Sequence, residues 1–195
     1  MEKVDVMVIG ASAAGLVAST TAKHTYPDAR VLVVHKDRNV LVPCGIPYVF
    51  GTVGSTDKDL LPTAKIFENA GVESRIDEVT SIDREKKVCR TRGGDEINYD
   101  KLIIATGSTP RAPGWLNGSD LENVFTVPKD KTYLDCAQLK MNDLDKVVTI
   151  GGGFIGVEFS DELKKAEKDV TLVEYLPHVL GLVFDEEIAT RVEDI

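Results

Sequence analysis

Three glycines, Gly151, Gly153 and Gly156, are spaced as G-x-G-x-x-G directly after the apolar run 147–150 and at the start of a helical stretch, Phe154–Lys165. Each has its own task in holding a pyrophosphate. The first turns the chain, the second lets the phosphates approach the backbone, and the third allows close packing of helix on strand. The helix start then offers free N–H groups and a partial positive charge. Glu174 follows the next apolar run, 170–173, and stands 23 residues after Gly151, where a carboxylate can accept a ribose 2′-hydroxyl. A carboxylate there repels a 2′-phosphate, and Tyr175 and Leu176 supply no cation to bind one, so the pattern favours NAD over NADP. A plain structural turn would explain the glycines but not the strand, helix and acid in register with them.

A second such pattern stands 141 residues earlier, at Gly10-Ala11-Ser12-Ala13-Ala14-Gly15. Serine replaces the middle glycine; it is small enough to admit a phosphate and can donate a hydrogen bond. The acid expected after the second strand is absent: His35 stands there, with Asp37 two residues on. Taken alone, this turn fits a dinucleotide site and a plain crossover equally well. Cys44 is the third candidate for chemistry, because a thiolate near a helix start is a nucleophile or redox partner. Most isolated cysteines are small buried hydrophobes. Cys89, in an alternating strand, and Cys136, within a helix, are read that way.

The elements that must position these groups follow from the hydrophobic pattern. Runs 4–9 (broken only by Asp5) and 31–34 read as buried strands, with a helix over 15–24 between them. This is the length of a right-handed parallel crossover. Residues 36–63 are rich in Pro and Gly and read as loop, with one short helix after Cys44. A helix over 62–70 should end at Gly71 in the left-handed conformation. Residues 72–91 alternate as strands, 92–95 form a hairpin turn, and 101–105 make another buried strand. The segment 111–118, with two glycines, Pro113 and the only Trp, reads as a connector and as the domain boundary. A helix over 131–141 leads into the second glycine turn. The chain is therefore expected to be α/β, with one nucleotide-binding domain over 1–111 and another over 112–195.

Composition bounds what such a chain can do. Acidic residues outnumber basic ones, 32 to 23, for a net charge of -9, which argues against a nucleic-acid partner. No apolar run approaches a membrane span. The amino terminus opens straight into a strand-like pattern, which reads as no signal peptide. Three cysteines at irregular spacing make no disulfide framework. The acidic run Asp185-Glu186-Glu187 reads as a helix start, and no metal site is expected. These features together read as an acidic cytoplasmic protein.

The run LIIATGSTP, 102–110, follows a hairpin and precedes the second glycine turn. In that order the motifs resemble the FAD-dependent pyridine nucleotide-disulfide oxidoreductases, over nearly the whole chain. The resemblance implies tandem Rossmann-like dinucleotide-binding units, with FAD on the first turn and NAD(H) on the second. It places Gly10, Ser12, Ala13, Ala14, Gly15, His35, Lys36, Pro43, Val79, Ala105, Thr106 and Gly107 against the flavin nucleotide. Gly151, Gly153, Phe154, Ile155, Gly156 and Glu174 fall to the nicotinamide nucleotide. The segment Val40-Leu41-Val42-Pro43-Cys44-Gly45-Ile46-Pro47-Tyr48 is similar to the S-F-x-x-C-G-[IL]-P-Y segment of the single-cysteine branch. That branch holds CoA-disulfide reductases, NADH persulfide reductases, NADH oxidases and NADH peroxidases. The resemblance makes Cys44 the redox cysteine and puts Glu158 near flavin and nicotinamide.

Three departures shape the expected acceptor. Val40 and Leu41 replace Ser-Phe, which suggests a more apolar setting for the thiol. Ala13 stands where oxidases and peroxidases of the branch carry histidine, which weakens the case for oxygen or peroxide. Thr21, Lys23 and His24 keep only part of the basic cluster that holds CoA. The family's second FAD segment and its interface domain do not occur in the 195 residues, and the second unit stops after one crossover. The expectation is the amino-terminal part of a homodimeric NADH-dependent reductase of a small-molecule disulfide or persulfide. An NADH oxidase and an inert nucleotide-binding fragment are the alternatives.

Overall fold

The computed structural model describes residues 2–112 and 114–194; Pro113, part of the expected connector, lies outside them. The chain falls into two compact units. One comprises Met1–Pro43, Leu60–Trp115 and Thr126–Lys131, the other Cys44–Asp59, Leu116–Phe125 and Thr132–Ile195. Each unit is thus discontinuous, and the segment that begins with the cysteine goes with the second glycine turn.

The first unit contains a six-stranded sheet, order β3-β2-β1-β6-β5-β4. Its strands are β1 (Glu2–Ile9), β2 (Val31–His35), β3 (Glu73–Ile76), β4 (Val79–Asp83), β5 (Val88–Thr91) and β6 (Glu96–Ile104). Helices α1 (Ala13–Thr25) and α3 (Thr63–Ala70) belong to it as well. β1 runs parallel to both β2 and β6, whereas β4, β5 and β6 are linked antiparallel. All five residues of β2 are buried, as its unbroken VLVV pattern requires of a strand covered on both faces. One face packs Met7, Ile9, Leu32, Val34, Cys89 and Ile97. The other packs Val8, Val31, Val33, Val40, Phe67 and Val72.

Asp5, the one break in the first apolar run, marks an irregularity. The N–H groups of Asp5 and Val6 both donate to Arg30 O, at 3.1 and 3.2 Å. Val4 lies on the face that carries Met7 and Ile9, although the pairing of β1 with β6 keeps one register throughout. The short strand expected over 101–105 begins earlier: β6 starts at Glu96, first as a hairpin partner of β5, then along the whole of β1. Gly71 ends α3 in the left-handed conformation, as predicted.

The second unit carries α2 (Ile46–Val49), a 3-10 turn (Thr56–Asp59), α4 (Lys131–Asn142), α5 (Phe154–Lys165) and α6 (Glu186–Glu193). Its sheet is the parallel pair β7 (Lys146–Ile150) and β8 (Asp169–Val173). One face of that pair leaves Val148, Ile150 and Val173 largely exposed. Asp185 starts α6 by accepting the Ile188 N–H at 3.1 Å, so the acidic run is a helix start. No helix among the described residues is long and apolar enough to cross a membrane.

Candidate functional site

Both glycine turns adopt the same backbone. Gly10 has φ +108° and Gly151 has φ +107°, values that a side chain rarely tolerates. A Cβ on Gly15 would lie 1.9 Å from Gly10 O, and one on Gly156 would lie 1.8 Å from Gly151 O. The third glycine is therefore a steric requirement in each turn. Residues 12 and 153 cap their helices in extended conformation, at φ -79° and -75°, and neither side chain caps the helix N–H groups. Those donors are left for a ligand.

The turns differ in their side chains. Ser12 Oγ is buried and has no hydrogen-bond partner; a phosphate oxygen at the turn would give it one. At the second turn Gly153 is exposed, with nothing within 4 Å of where a Cβ would sit. Glu174 accepts Gly152 N–H at 2.5 Å and Leu176 N–H at 2.8 Å. These backbone donors, Leu176 first and then Gly152, hold its carboxyl below the usual range. The acid that the sequence assigned to a ribose is thus favoured in its anionic form by the turn itself. Phe154 and Ile155 lie exposed at the start of α5, and Glu158 is exposed one turn later.

In the first unit the expected residues converge from three elements. Ala105 N–H donates to Ile9 O at 2.8 Å, and a Cβ on Gly10 would lie 2.2 Å from Ala105 O. The Ala105-Thr106-Gly107 segment therefore begins against the turn that holds Ala13 and Ala14, and Gly107 has φ +73°. His35 ends β2, with Lys36 exposed beyond it. Asp77 N–H reaches His35 O at 2.9 Å, so the chain passes the end of β2 just before Val79. Val79 itself packs against the core. Pro43 is half-buried and closes the first stretch of this unit. The residues thus fit a dinucleotide on this turn.

Cys44 is exposed. Val40 and Leu41, expected to surround it with apolar groups, are instead buried in the first unit: Val40 packs with Phe67 in the core, and Leu41 bridges to Leu60. The helix after Cys44 is a single turn, Ile46–Val49, too short for much of a macrodipole. Cys89 is fully buried, and burial pushes its thiol up to about 11, which leaves it inert. Cys136 does not fit the buried reading: it is exposed on α4.

Two carboxyl groups that the sequence did not single out lie at the cysteine segment, and one of them, Glu162, fastens it within the second unit. Glu162 is only 1% exposed on the inner face of α5, beside Phe159 and Leu163. It accepts Thr52 N–H at 2.6 Å and Lys165 Nζ at 2.8 Å. Burial alone would raise its pKa, but the hydrogen bonds from Lys165 and Thr52 outweigh that and hold it below the ordinary value. Phe50 packs on Phe159 with ring centroids 5.0 Å apart, and Gln138 donates to Val49 O at 2.8 Å. Asp59 presses on Gly45, where a Cβ would sit 1.8 Å from Oδ1. Its Oδ2 is buried without a partner, and burial raises its pKa. An acid on the apolar face of α5, at 159-x-x-162-163, was the sequence signal for Glu162. Asp59 left none.

Comparison with known proteins identifies a family. Residues 4–195 match the model of the pyridine nucleotide-disulphide oxidoreductase family. The chain is 32% identical to an NADH oxidase of Methanocaldococcus jannaschii over 96% of its own length and 44% of that protein's. It is 33% identical to a CoA-dependent NAD(P)H sulfur oxidoreductase of Pyrococcus furiosus, over 100% of its length and 45% of the relative's. The solved NAD-dependent persulfide reductase from A. fulgidus superposes with a TM-score of 0.85 at 32% identity, covering 97% of this chain and 37% of that one. The chain thus spans less than half the length of the curated relatives it matches. The names of these relatives give NADH, NAD(P)H or NAD as the nucleotide.

Proposed function

Because this chain belongs to the pyridine nucleotide-disulphide oxidoreductase family, we propose that it forms part of an NADH-dependent flavoprotein that reduces a small-molecule disulfide or persulfide through Cys44. The observation that carries this reading is the fastening of the Cys44 segment to α5, the helix that begins at the second glycine turn, by the Glu162–Thr52 bond. FAD, when bound at the first turn, supplies the relay between a hydride donor and a thiol.

This chain's residues do the rest. The α5 N-terminus and Glu174 hold NADH by its pyrophosphate and ribose. Glu158 stands one turn along the exposed face of α5 from Phe154, where it can face the nicotinamide. Cys44, as thiolate, attacks one sulfur of the acceptor; a mixed disulfide forms and one thiolate leaves. Two electrons originating in NADH then break that mixed disulfide, release the second thiol and restore Cys44. The relatives named NADH oxidase favour oxygen as a second reading, which Ala13 argues against. Stoichiometric oxygen uptake without a disulfide would establish it.

The test is to load the chain with FAD, add NADH without oxygen, and then add an aromatic disulfide that releases a coloured thiolate. The wild type is expected to bleach the flavin and release thiolate. Cys44→Ser should bleach equally and release none. Equal thiolate release by the variant would overturn the role of Cys44. A chain that takes up no FAD would be an inert nucleotide-binding fragment.

A further inference from the structure

The connection between β8 and α6 folds back on the second glycine turn and meets it at Gly152. Glu174 accepts the Gly152 N–H from one side. From the other, Leu180 N–H donates to Gly152 O at 2.7 Å. A Cβ at Gly152 would lie 3.0 Å from both Glu174 Oε2 and Val179 Cγ1. Both backbone groups of Gly152 are thus engaged by residues 174–180, and the turn keeps its shape only while that strap stays in place. Leu180 is buried and has φ +57°, a conformation that a leucine seldom adopts without constraint.

The constraint comes from α6. Glu193, its last residue, accepts Val179 N–H at 2.9 Å through Oε1, and its Oε2 lies 3.1 Å from His178 Nδ1. Glu186, on the first turn of the helix, stands 3.9 Å from Nε2 of the same ring. Just ahead of α6, Phe184 meets Phe154 edge-on, with ring centroids 5.9 Å apart. His178 first, and then the Val179 N–H, hold the Glu193 carboxyl below its usual range, so it is a charged acceptor at neutral pH.

We propose that Glu193 is a positioning residue for the nicotinamide nucleotide, fastening the strap 176–180 to α6 so that Gly152 and Glu174 stay arranged for a pyrophosphate and a ribose. The proposal rests on the reading that the second turn binds NADH. Glu193 acts through Val179 and Leu180 rather than on the nucleotide. Without its carboxyl, Val179 N–H loses an acceptor and Leu180 loses the neighbour that keeps it left-handed. The strap then samples open states, in which Gly152 O is released and Leu176 N–H leaves Glu174. Only the closed fraction is ready for NADH, and the apparent affinity falls in proportion to it. The first turn lies in the other unit and takes no part in this strap.

The test is calorimetric titration of NADH and of FAD into wild type, Glu193→Ala and Glu193→Gln, together with amide hydrogen exchange of each free chain. Glu193→Ala should bind NADH about three- to tenfold more weakly, the worth of one net hydrogen bond, and should bind FAD as the wild type does. Its Val179 and Leu180 amides should lose protection while those of β7 and β8 keep theirs. Glu193→Gln, whose amide oxygen can still accept from Val179, should recover most of the NADH affinity. Unchanged NADH affinity in Glu193→Ala, an equal loss of NADH and FAD, or a loss of NADH with Leu180 still protected overturns the proposal and leaves the dinucleotide reading standing. No NADH binding by the wild type overturns that reading and the proposal with it. Should Glu193→Ala fail to fold, the wild type decides: Val179 and Leu180 amides that are protected, and more so with NADH, support the strap, and exchange at the rate of an open peptide overturns it.

Discussion

The first and second glycine turns share φ at the leading glycine, the bond from that glycine to the neighbouring strand, and the close approach of the third glycine to the first carbonyl. They differ in what they present to a ligand. The first offers a hydroxyl, Ser12, and an imidazole ring, His35; the second offers bare backbone at Gly153 and a carboxylate at Glu174. The glycines and the crossover set a common backbone geometry, and the turns differ in the few side chains around it. The helices diverge too. α1 buries Gly15 and Ser19, whereas α5 buries an ionised acid that fastens the cysteine segment.

The shared part of the comparison is where substitution should cost most. Gly15→Ala and Gly156→Ala each push a methyl into a backbone carbonyl, and each should lose about 3 kcal/mol of stability in denaturant titration. A large difference between the two would break the equivalence. Next is the divergence between helices. Glu162→Leu leaves the Thr52 N–H without its acceptor and should cost about 2 kcal/mol at neutral pH. Because the folded pKa of Glu162 is depressed, its contribution is full above the ordinary carboxylate range and is lost as pH falls through the depressed value. Wild type and Glu162→Leu should therefore converge in acid.

Glu174→His converts the second ribose position into the first. NADH affinity should fall about tenfold, the equivalent of one charge-assisted hydrogen bond, and discrimination against NADPH should shrink with it. Competitive titration of the two cofactors measures both. The smallest effect is expected from Ser12→Gly, which makes the first turn match the second. The hydroxyl has no partner in the free chain, so thermal stability should change by no more than about 0.5 kcal/mol.

Much of this was legible because it is local. Strand, glycine turn and helix are encoded within short windows. Glu174 was singled out because its place is fixed by the crossover length. The rest depends on residues far apart in the chain. Nothing near Thr52 announces that Glu162, 110 positions away, will accept its N–H. Nor does Asp59 signal that it will press on Gly45. The setting of Cys44 was misjudged for the same reason. Val40 and Leu41 are neighbours in sequence, but their side chains go to the core of the first unit. β6 was read too short because a strand that pairs as a hairpin and then in parallel changes its burial pattern midway.

The central claim is that two turns of one geometry hold two different nucleotides. Calorimetric titration of FAD and of NADH into wild type, Gly15→Ala and Gly156→Ala, each confirmed folded by circular dichroism, tests that most directly. The expected result is crossed: Gly15→Ala loses FAD and keeps NADH, and Gly156→Ala loses NADH and keeps FAD. Loss of both nucleotides from either folded variant, or of neither from both, would contradict it.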